Sequence, residues 1–363
     1  MKLETLSLEN YRNFSHLKLD FTASLNILIG NNAQGKSNLL ESIYLLAYSK
    51  SPRTSNLNNV VKHGFQITRI EGEVCNNEIK KELVLLIDSG NKHLFVDKKI
   101  VELKQYLSNL HVIFYVPFST LIYGFPRERR RYLDRAIVSL DKKYLHAIAS
   151  YNRILKMRNA LFKSKYNERE MESWNEQFIN YAVIIWKARQ EYIENLCKKV
   201  GQLKPIFFKE NDEIEIGLKT TPQLSLEKKR WAEEVKYCME MQKEREKQMG
   251  FTIIGPHRDD MVILLNNYDA RYFGSSGQLK AMVILMILAQ LNMFHEEYEE
   301  YPLLMCDDID TELDAMKLNA FLSSLSSMVQ VFLTTTQNNL AETLKDAVVY
   351  QVHEGVVEKI RKG

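Results

Sequence analysis

The sequence predicts an α/β fold, in which mixed sheets with helices are interrupted by a mainly helical insertion. Three observations carry this prediction. A glycine-rich loop, 30–37, lies between a short apolar run and a helical pattern. A second apolar run ends in Asp307 and Asp308. The stretch between them, 126–249, is mainly helical in pattern. We therefore expect a discontinuous head of residues 1–125 plus 250–363, with 126–249 inserted as an arm.

Alternating apolar residues and turn signals predict the strands of the head. In the first part of the chain these strands are Leu3–Leu8, Leu17–Phe21, Ser24–Ile29, Ile67–Val74, Leu83–Asp88 and His93–Val96. A helix is expected from Asn38 to Tyr48, where leucines and isoleucine recur at helical spacing. Further on, strands are expected at 251–254, 261–265, 303–306 and 329–333, and a helix at 279–295.

The arm has a different pattern. Helices are expected over 127–163, 168–200 and 226–249, with a short strand pair around 206–218. An insertion of this kind should begin and end at neighbouring points of the domain that contains it.

Composition narrows the class of protein. The chain has 363 residues, 45% hydrophobic and 26% charged, and a net charge of +3, which describes an ordinary globular protein with room for two lobes. Its four cysteines form no C-x-x-C pair, which argues against a zinc site and favours a reducing compartment. The N-terminus does not resemble a signal peptide, and we see no apolar run near the roughly 18 residues of a membrane span. We expect a cytoplasmic protein with no membrane partner.

The glycine-rich loop fits the phosphate-loop pattern G-x-x-x-x-G-K-[ST] at every fixed position. Backbone N–H groups and the start of the following helix form a cradle for phosphates, which the lysine also reaches, and the final hydroxyl binds Mg²⁺. The nucleotide-binding residues are therefore Gly30, Asn31, Asn32, Ala33, Gln34, Gly35, Lys36 and Ser37.

The apolar run ending in two aspartates supplies the second half of the site. A carboxylate at a strand end beside a phosphate loop can hold Mg²⁺ through water, and we assign this role to Asp307. The next carboxylate, Asp308, can orient the attacking water and is the predicted catalytic residue. The predicted ligands are therefore ATP and Mg²⁺, with Ser37 and Asp307 at the metal.

The order of the remaining motifs is that of ABC-type ATPase heads. A predicted signature loop precedes the two aspartates, and a predicted D-loop follows them. The signature loop is Ser275, Ser276, Gly277 and Gln278, and the D-loop is Glu312, Leu313 and Asp314. In this class the signature loop caps the ATP of the facing subunit, so ATP should join two copies into a homodimer. A transporter ATPase would have a much shorter gap between the motifs, and an SMC protein a far longer one.

Several further segments resemble the RecF family of bacterial SMC-like ATPases, and the resemblance spans nearly the whole chain. They include Leu8–Phe14, Ser51–Thr54, Gly124–Asp134, Tyr151–Asn159, Trp174 and Gly255–Asp260, besides the ATPase motifs. The sequence departs from the family pattern at Pro117-Phe118-Ser119 and at Leu279-Lys280.

The resemblance implies an ATP-dependent DNA-binding dimer of recombinational repair and replication restart. It implies action at gapped DNA or single-/double-strand junctions, with RecO and RecR as partners in loading the RecA recombinase. It also implies that Arg12 and Arg53 face the nucleotide. A cytosolic ATPase that powers a transporter or another assembly is the alternative.

Basic residues are dense at the start of the arm. They predict sequence-independent contacts to DNA phosphates, although a solvated arm helix would have the same composition. The candidate DNA contacts are Arg127, Arg129, Arg130, Arg131 and Lys142.

Two features predict slow hydrolysis, and hence a switch and not a motor. Asp308 stands where faster ABC-type ATPases commonly have the longer glutamate, and Thr334-Thr335-Thr336 stands where many relatives have a histidine. A threonine donates a hydrogen bond but carries no positive charge.

Overall fold

The computed structural model describes residues 1–164, 168–309, 313, 315–325, 327–337, 344 and 346–361. The chain forms two compact units, Met1–Val116 with Phe294–Gly363 (unit 1), and Pro117–Met293 (unit 2). The predicted α/β class is confirmed. The division into a head and an arm remains a prediction: unit 2 contains the predicted arm together with 117–125 and 250–293.

The strands of unit 1 and unit 2 are numbered along the chain. They are β1 Lys2–Leu3, β2 Thr5–Tyr11, β3 Phe14–Asp20, β4 Leu25–Ile29, β5 Ile67–Asn76, β6 Ile79–Asp88, β7 Asn91–Val96, β8 Lys99–Ile100, β9 Val112–Phe114, β10 Ile214–Lys219, β11 Asp260–Leu265, β12 Tyr268–Asp269, β13 Leu303–Cys306, β14 Val331–Thr335, β15 Val348–His353 and β16 Val356–Arg361.

The helices are numbered in the same way. They are α1 Lys36–Tyr48, α2 Leu103–Tyr106, α3 Phe118–Leu121, α4 Pro126–Leu140, α5 Lys142–Leu161, α6 Glu168–Leu203, α7 Trp231–Met249, α8 Ala270–Phe273, α9 Ser276–Tyr298 and α10 Ala315–Ser323. Short 3₁₀ helices lie at Leu57–Val60, Lys204–Ile206 and Pro256–Arg258.

Unit 1 contains two sheets. An antiparallel sheet has the order β3-β2-β5-β6-β7-β8, with β1 also paired to β5. The other sheet has the order β16-β15-β4-β14-β13-β9, in which only the edge strand β16 pairs antiparallel. Because parallel strands end at the same edge of a sheet, the ends of β4, β13 and β14 meet where the phosphate loop begins.

Helix α1 lies between the two sheets of unit 1. Its Leu39 and Ile43 share one buried cluster with Leu8 of the antiparallel sheet and with Leu28 and Phe332 of the parallel sheet. Apolar contact on opposite faces explains why this helix is apolar around most of its circumference. The packing fixes the direction in which α1 leaves the phosphate loop.

The helices of unit 2 differ from the expected ones at their ends. The single helix expected over 127–163 is divided at Asp141, whose carboxylate accepts a hydrogen bond of 2.8 Å from the backbone N–H of Lys143 and so caps α5. The helix expected from 226 begins at Trp231. At Asp141, helix capping by the side chain therefore outweighs the helical sequence pattern that continues from 127 to 163.

The β structure of unit 2 is also different from the expectation. In place of a strand pair at 206–218 there is one strand, β10, which pairs with β11 from Ile214↔Leu265 to Lys219↔Asp260. Residues 251–254 form no strand. There the backbone N–H groups of Thr252 and Ile253 donate to the side chains of Asn159 and Glu246, at 2.8 Å each. Side chains from two helices thus take the hydrogen bonds that a sheet would have used.

Helix α9 is the most apolar helix of the described residues. It is long and apolar enough to span a membrane by composition, with a mean hydropathy of 1.4 over its best window, so the expectation of no such run is wrong. Yet 78% of that window is buried inside the fold, as in the core helix of a globular domain.

Candidate functional site

The phosphate loop joins β4 to α1 and needs its two glycines for steric reasons. Gly35 has φ 116°, and a Cβ there would lie 2.6 Å from Nδ2 of Asn13. A Cβ on Gly30 would collide with the carbonyl oxygen of Val352. The loop residues between the two glycines, 31–34, are exposed or half-buried. The loop therefore presents its backbone outward while neighbouring chain segments contact it from behind.

Lys36 is 4% exposed and lies across the loop. Its Nζ donates to the carbonyl oxygens of Gly30 at 2.7 Å and Asn31 at 3.0 Å. These contacts hold the ammonium at the mouth of the cradle, where the lysine of a phosphate loop meets β- and γ-phosphate oxygens.

The hydroxyls of Ser37 and Thr334 meet at one oxygen of Asp307. The Ser37 Oγ donates to Oδ1 of Asp307 at 3.0 Å, and the Thr334 Oγ1 donates to the same atom at 2.7 Å. Three chain segments, α1, β13 and β14, thus place oxygen atoms at one point beside the loop. Oxygen donors of this kind fit Mg²⁺. In the described part of the chain, no group of three or more His, Cys, Asp or Glu could hold a metal, so phosphate oxygens and waters would complete the shell.

Asp308 is held in a strained backbone conformation next to this point. Its φ is 46°, a region that residues other than glycine rarely adopt. Its N–H donates to Oγ1 of Thr334 at 2.7 Å. Thr334 is fully buried and contacts both aspartates, so it positions them relative to each other.

Glu41 on α1 is a residue that the sequence reasoning missed. It is 1% exposed and accepts hydrogen bonds from Nε and Nη2 of Arg12 at 2.9 Å each, from the Tyr11 hydroxyl at 3.1 Å and from the Ser51 hydroxyl. Arg53 lies 3.8 Å from the same carboxylate. The structure thus brings the two predicted arginines together on one buried acid. An acidic residue inside an otherwise apolar helix is the signal that could have found it.

The charges of this cluster stabilise one another. Burial alone would raise the pKa of Glu41, but hydrogen bonds from Arg12 and Ser51 outweigh burial and hold the pKa below its usual value. Burial alone would lower the pKa of Arg12, and the hydrogen bonds to Glu41 raise it instead. Glu41 is therefore ionised at neutral pH and anchors Arg12.

Two asparagines connect the arginines to the phosphate loop. Arg53 donates to Oδ1 of Asn38 at 2.8 Å, Asn38 donates to Oδ1 of Asn13 at 2.9 Å, and Asn13 donates to the carbonyl of Gln34 at 3.0 Å. A displacement of the phosphate loop would therefore be transmitted to Arg53 through the hydrogen bonds of these two amide side chains.

The predicted signature loop lies in unit 2, at the start of α9. The Gln278 N–H donates to Oγ of Ser275 at 3.3 Å, and the Ser275 N–H donates to Oε1 of Gln278 at 2.9 Å. This reciprocal pair is a capping box, which orders the helix start. Ser275 and Ser276 are exposed. Of the predicted D-loop, Leu313 is buried, while Glu312 and Asp314 lie outside the described residues.

The predicted DNA contacts of unit 2 differ in their surroundings. Arg127, Arg131 and Lys142 are exposed, and Arg131 pairs with Glu128 at 3.0 Å. Arg130 is half-buried and donates to the backbone carbonyl of Asp259 at 2.6 Å.

Arg129 is different, because it is 2% exposed. It donates to both carboxylate oxygens of Asp260, at 2.6 and 2.9 Å, and to the carbonyls of Ile122 and Gly124. A DNA phosphate has no access to a guanidinium used in this way. We therefore correct the prediction that Arg129 contacts DNA: it holds the loop before α4.

The segment Gly255–Asp260 is a buried junction of unit 2. Asp259 accepts from Nη1 of Arg189 at 2.6 Å and from the indole N–H of Trp186, and Arg189 also donates to Asp134 at 2.8 Å. His257 contacts the Tyr151 hydroxyl at 2.6 Å. These contacts join α4, α5 and α6 to the segment and give it a structural role in unit 2.

Comparisons with known proteins identify the family of this chain. The family model of the RecF/RecN/SMC N-terminal domain matches residues 2–358. The DNA replication and repair protein RecF of Staphylococcus carnosus (strain TM300) is 36% identical, and the match covers 99% of this chain and 100% of the relative. RecF of Listeria monocytogenes serotype 4b (strain CLIP80459) is 34% identical with the same coverage. The chain belongs to the RecF family.

Solved structures of RecF proteins have the same fold as this chain. The recombination mediator protein RecF-ATPrS of the RecFOR pathway has a TM-score of 0.89 at 29% identity, covering 99% of this chain and 98% of that one. The RecF-ATP structure of that pathway has a TM-score of 0.85 at 29% identity, covering 99% of each. An SMC head bound to the C-terminal winged-helix domain of ScpA, at 12% identity and a TM-score of 0.59, shares the fold alone. The fold is that of a RecF-type, SMC-like ATPase head with a helical insertion.

Proposed function

We propose that this RecF family member binds ATP with Mg²⁺ at the phosphate loop of unit 1 and hydrolyses it slowly. The observation that carries the proposal is the meeting of the Ser37 and Thr334 hydroxyls at Asp307. Its relatives include a RecF structure named with ATP, which supports the same ligand. When bound, Mg²⁺ would be held by Ser37 and Asp307 and would neutralise phosphate charge.

The residues of the loop have separate roles in this proposal. Backbone N–H groups of residues 30–35 and the ammonium of Lys36 bind phosphates. Asp308 orients the attacking water, and Arg12 and Arg53 face the nucleotide. Slow turnover follows from the short side chain of Asp308 and from Thr334, which supplies a neutral hydroxyl to the site.

The protein would act as an ATP-dependent homodimer. In the dimer, Ser275, Ser276, Gly277 and Gln278 contact the ATP of the facing subunit, and Glu312, Leu313 and Asp314 remain the proposed D-loop. ATP would persist between the subunits because hydrolysis is slow, so the dimer marks a DNA site for as long as it lasts.

The DNA target would be a gap or a single-/double-strand junction in the cytoplasm. Arg127, Arg130, Arg131 and Lys142 remain the proposed phosphate contacts. RecO and RecR are the proposed partners in loading RecA, since the RecF relatives are named with the RecFOR pathway.

Two variants of unit 1 test the ATPase. Lys36→Ala removes the charge at the β- and γ-phosphates and should abolish tight ATP binding. Asp308→Asn should keep ATP binding and dimerisation, nearly stop hydrolysis and lengthen the dimer lifetime. ATP affinity is measured by calorimetry, hydrolysis in a single turnover, and dimer lifetime by sedimentation after ATP dilution. Normal turnover by Asp308→Asn would refute its catalytic role.

A variant of the signature loop tests the shared site. Ser276→Arg places a bulky side chain where the facing subunit's ATP must dock, so the protein should bind ATP and stay monomeric. Sedimentation with and without ATP gives the result, with Ser275→Ala as the smaller change. A Ser276→Arg protein that dimerises normally would contradict the model.

A further inference from the structure

Unit 2 carries a group of exposed aromatic side chains in two short segments, 123–125 and 268–273. Tyr123 is 56% exposed, Phe125 82%, Tyr268 59%, Tyr272 77% and Phe273 68%. We name these five residues the aromatic platform. Folded proteins seldom leave so many large rings in water without a partner that covers them.

The two segments are held in place by buried contacts. Arg129 donates to the carbonyls of Ile122 and Gly124 in the first segment, and its ion partner Asp260 begins β11. Strand β11 pairs with β12, whose Tyr268 lies opposite Leu265. The rings of Tyr268 and Phe273 are 5.0 Å apart between centroids. Arg129 therefore holds the first segment, and Ile122, Arg129, Ala270 and Arg271 line one small cavity, which places the two segments side by side.

Positive charge surrounds the rings. Arg127 and Arg131 lie one helical turn apart on α4, directly after Phe125, and both are exposed. The guanidinium of Arg271 lies 5.7 Å from the Tyr272 ring. Lys280 adds another cation, 5.3 Å above the ring of Phe118. Two acids, Glu128 and Asp269, lie among these cations, and each pairs with one arginine.

Aromatic faces next to cations are the combination that binds single-stranded nucleic acid. Each ring can stack on a base of any sequence, while the cations contact the phosphates. A duplex hides its base faces within the stack, so it could engage the cations but not the rings. The exposed cations beside the rings make a purely apolar partner an unsuitable ligand for this surface.

We propose that the aromatic platform binds the unpaired bases of single-stranded DNA. The proposal rests on the proposed DNA binding and deepens it: the platform would recognise the single-stranded side of a junction, and other basic residues the phosphates of the duplex side.

The test uses the full chain and fluorescein-labelled oligo(dT), followed by anisotropy. The variant Phe125→Ala/Tyr272→Ala removes the two most exposed rings of the platform, and Phe125→Tyr/Tyr272→Phe keeps both. Phe65→Ala/Tyr237→Ala is the matched control, since these rings are 51% and 67% exposed but lie outside the platform. An abasic oligomer of equal length and a blunt duplex complete the ligands.

We expect the double alanine variant to lose about fivefold to 150-fold in oligo(dT) affinity for each ring that stacks on a base. The ring-preserving variant and the control should bind as the wild type does. Affinity for the abasic oligomer and for the duplex should not change. If wild-type protein with ATP does not bind the duplex, the proposed function is refuted, but the inference about the aromatic platform is not.

Two results would overturn the inference. One is an alanine variant with unchanged oligo(dT) affinity. The other is an equal loss on the abasic oligomer, which would assign the effect to charge or folding. In the first case, a simultaneous loss of ATP-driven dimerisation would assign the platform to a second copy of the chain.

Discussion

Glu41 in unit 1 and Asp259 in unit 2 are both buried carboxylates paired with arginine, yet their pKa values shift in opposite directions. Glu41 is 1% exposed and Asp259 is 0% exposed. The pKa of Glu41 lies below its usual value, whereas burial raises the pKa of Asp259 to about 6 despite the attraction of Arg189. Similar solvent exposure therefore does not give equal protonation, because burial outweighs the donors at Asp259 and not at Glu41.

The difference comes from the donors and from their exposure. Glu41 receives hydrogen bonds from Arg12, Tyr11 and Ser51. Its arginines reach solvent, since the side chains of Arg12 and Arg53 are 21% and 53% exposed. The side chain of Arg189 is 2% exposed and is held between the carboxylates of Asp259 and Asp134. The comparison teaches that Glu41 holds arginines that remain partly exposed, while Arg189 is a fixed part of the buried interior.

The largest expected effect is on the fixed pair. Arg189→Met leaves Asp259 buried without its cation, which should lower the free energy of unfolding of unit 2 by about 3–5 kcal/mol. The chain's three tryptophans, Trp174, Trp186 and Trp231, all lie in unit 2, so urea unfolding followed by tryptophan fluorescence reports this unit. The control is Arg131→Met, which breaks an exposed pair and should change stability by less than about 1 kcal/mol. Equal stability of the two variants would contradict the comparison.

The next effect concerns pH, because His257 and Asp259 work in opposite directions. Asp259 has a folded pKa of about 6 against about 3.9 unfolded, so between these values the folded state binds the extra proton and stability rises as pH falls. Burial lowers the folded pKa of His257 to about 4 against about 6.5 unfolded, so its stabilisation is present above pH 6.5 and is lost as pH falls toward 4. The two contributions should nearly cancel in the wild type.

His257→Gln should expose the contribution of Asp259. Between about pH 7 and pH 4.5, the variant should gain about 2 kcal/mol of stability relative to the change in wild type. The measurement is urea unfolding of both proteins at both pH values, which separates the slope from any uniform loss caused by the substitution. The same pH dependence in both proteins would show that His257 titrates as it does in the unfolded chain.

The smallest effect is at the pair of Glu41 and Arg12. Glu41→Gln keeps the side-chain volume but removes the charge that anchors Arg12, and we expect about a tenfold loss of ATP affinity. Unit 2 should unfold as in wild type. Calorimetry with ATP gives the affinity, and Glu128→Gln, which removes an exposed acid, is the control. Unchanged ATP affinity of Glu41→Gln would contradict the anchoring role and would make Glu41 a structural residue like Asp259.

The sequence predicts those structural features that local patterns of residues determine. The phosphate loop and the strand ending in Asp307 were predictable, because motif and periodicity are adjacent in the chain. The pairing of β10 with β11 was not, since helix α7 separates them and nothing in either strand names its partner. The hydrogen bonds from the backbone of Thr252 and Ile253 to Asn159 and Glu246 could not be predicted either, because no local pattern indicates these partners.

The site residues follow the same rule. Arg129 and Arg131 look alike in sequence, and only the position of Asp260 and of two carbonyls shows that the first is buried. Glu41 was missed because its partners come from another strand and another loop. Patterns identify what a residue can do, and long-range packing selects which of those contacts it makes.

The last hairpin of the chain is part of the frame around the phosphate loop. The backbone N–H of Glu354, in the turn between β15 and β16, donates to the side chain of Gln34 across a sequence separation of 320 residues, at 2.8 Å. Strand β4 itself lies between β14 and β15. During synthesis, the loop near the N-terminus therefore leaves the ribosome long before its neighbouring strands exist. The frame of the loop therefore forms only after β14, β15 and the hairpin have been synthesised, which makes its folding depend on contacts of long sequence separation.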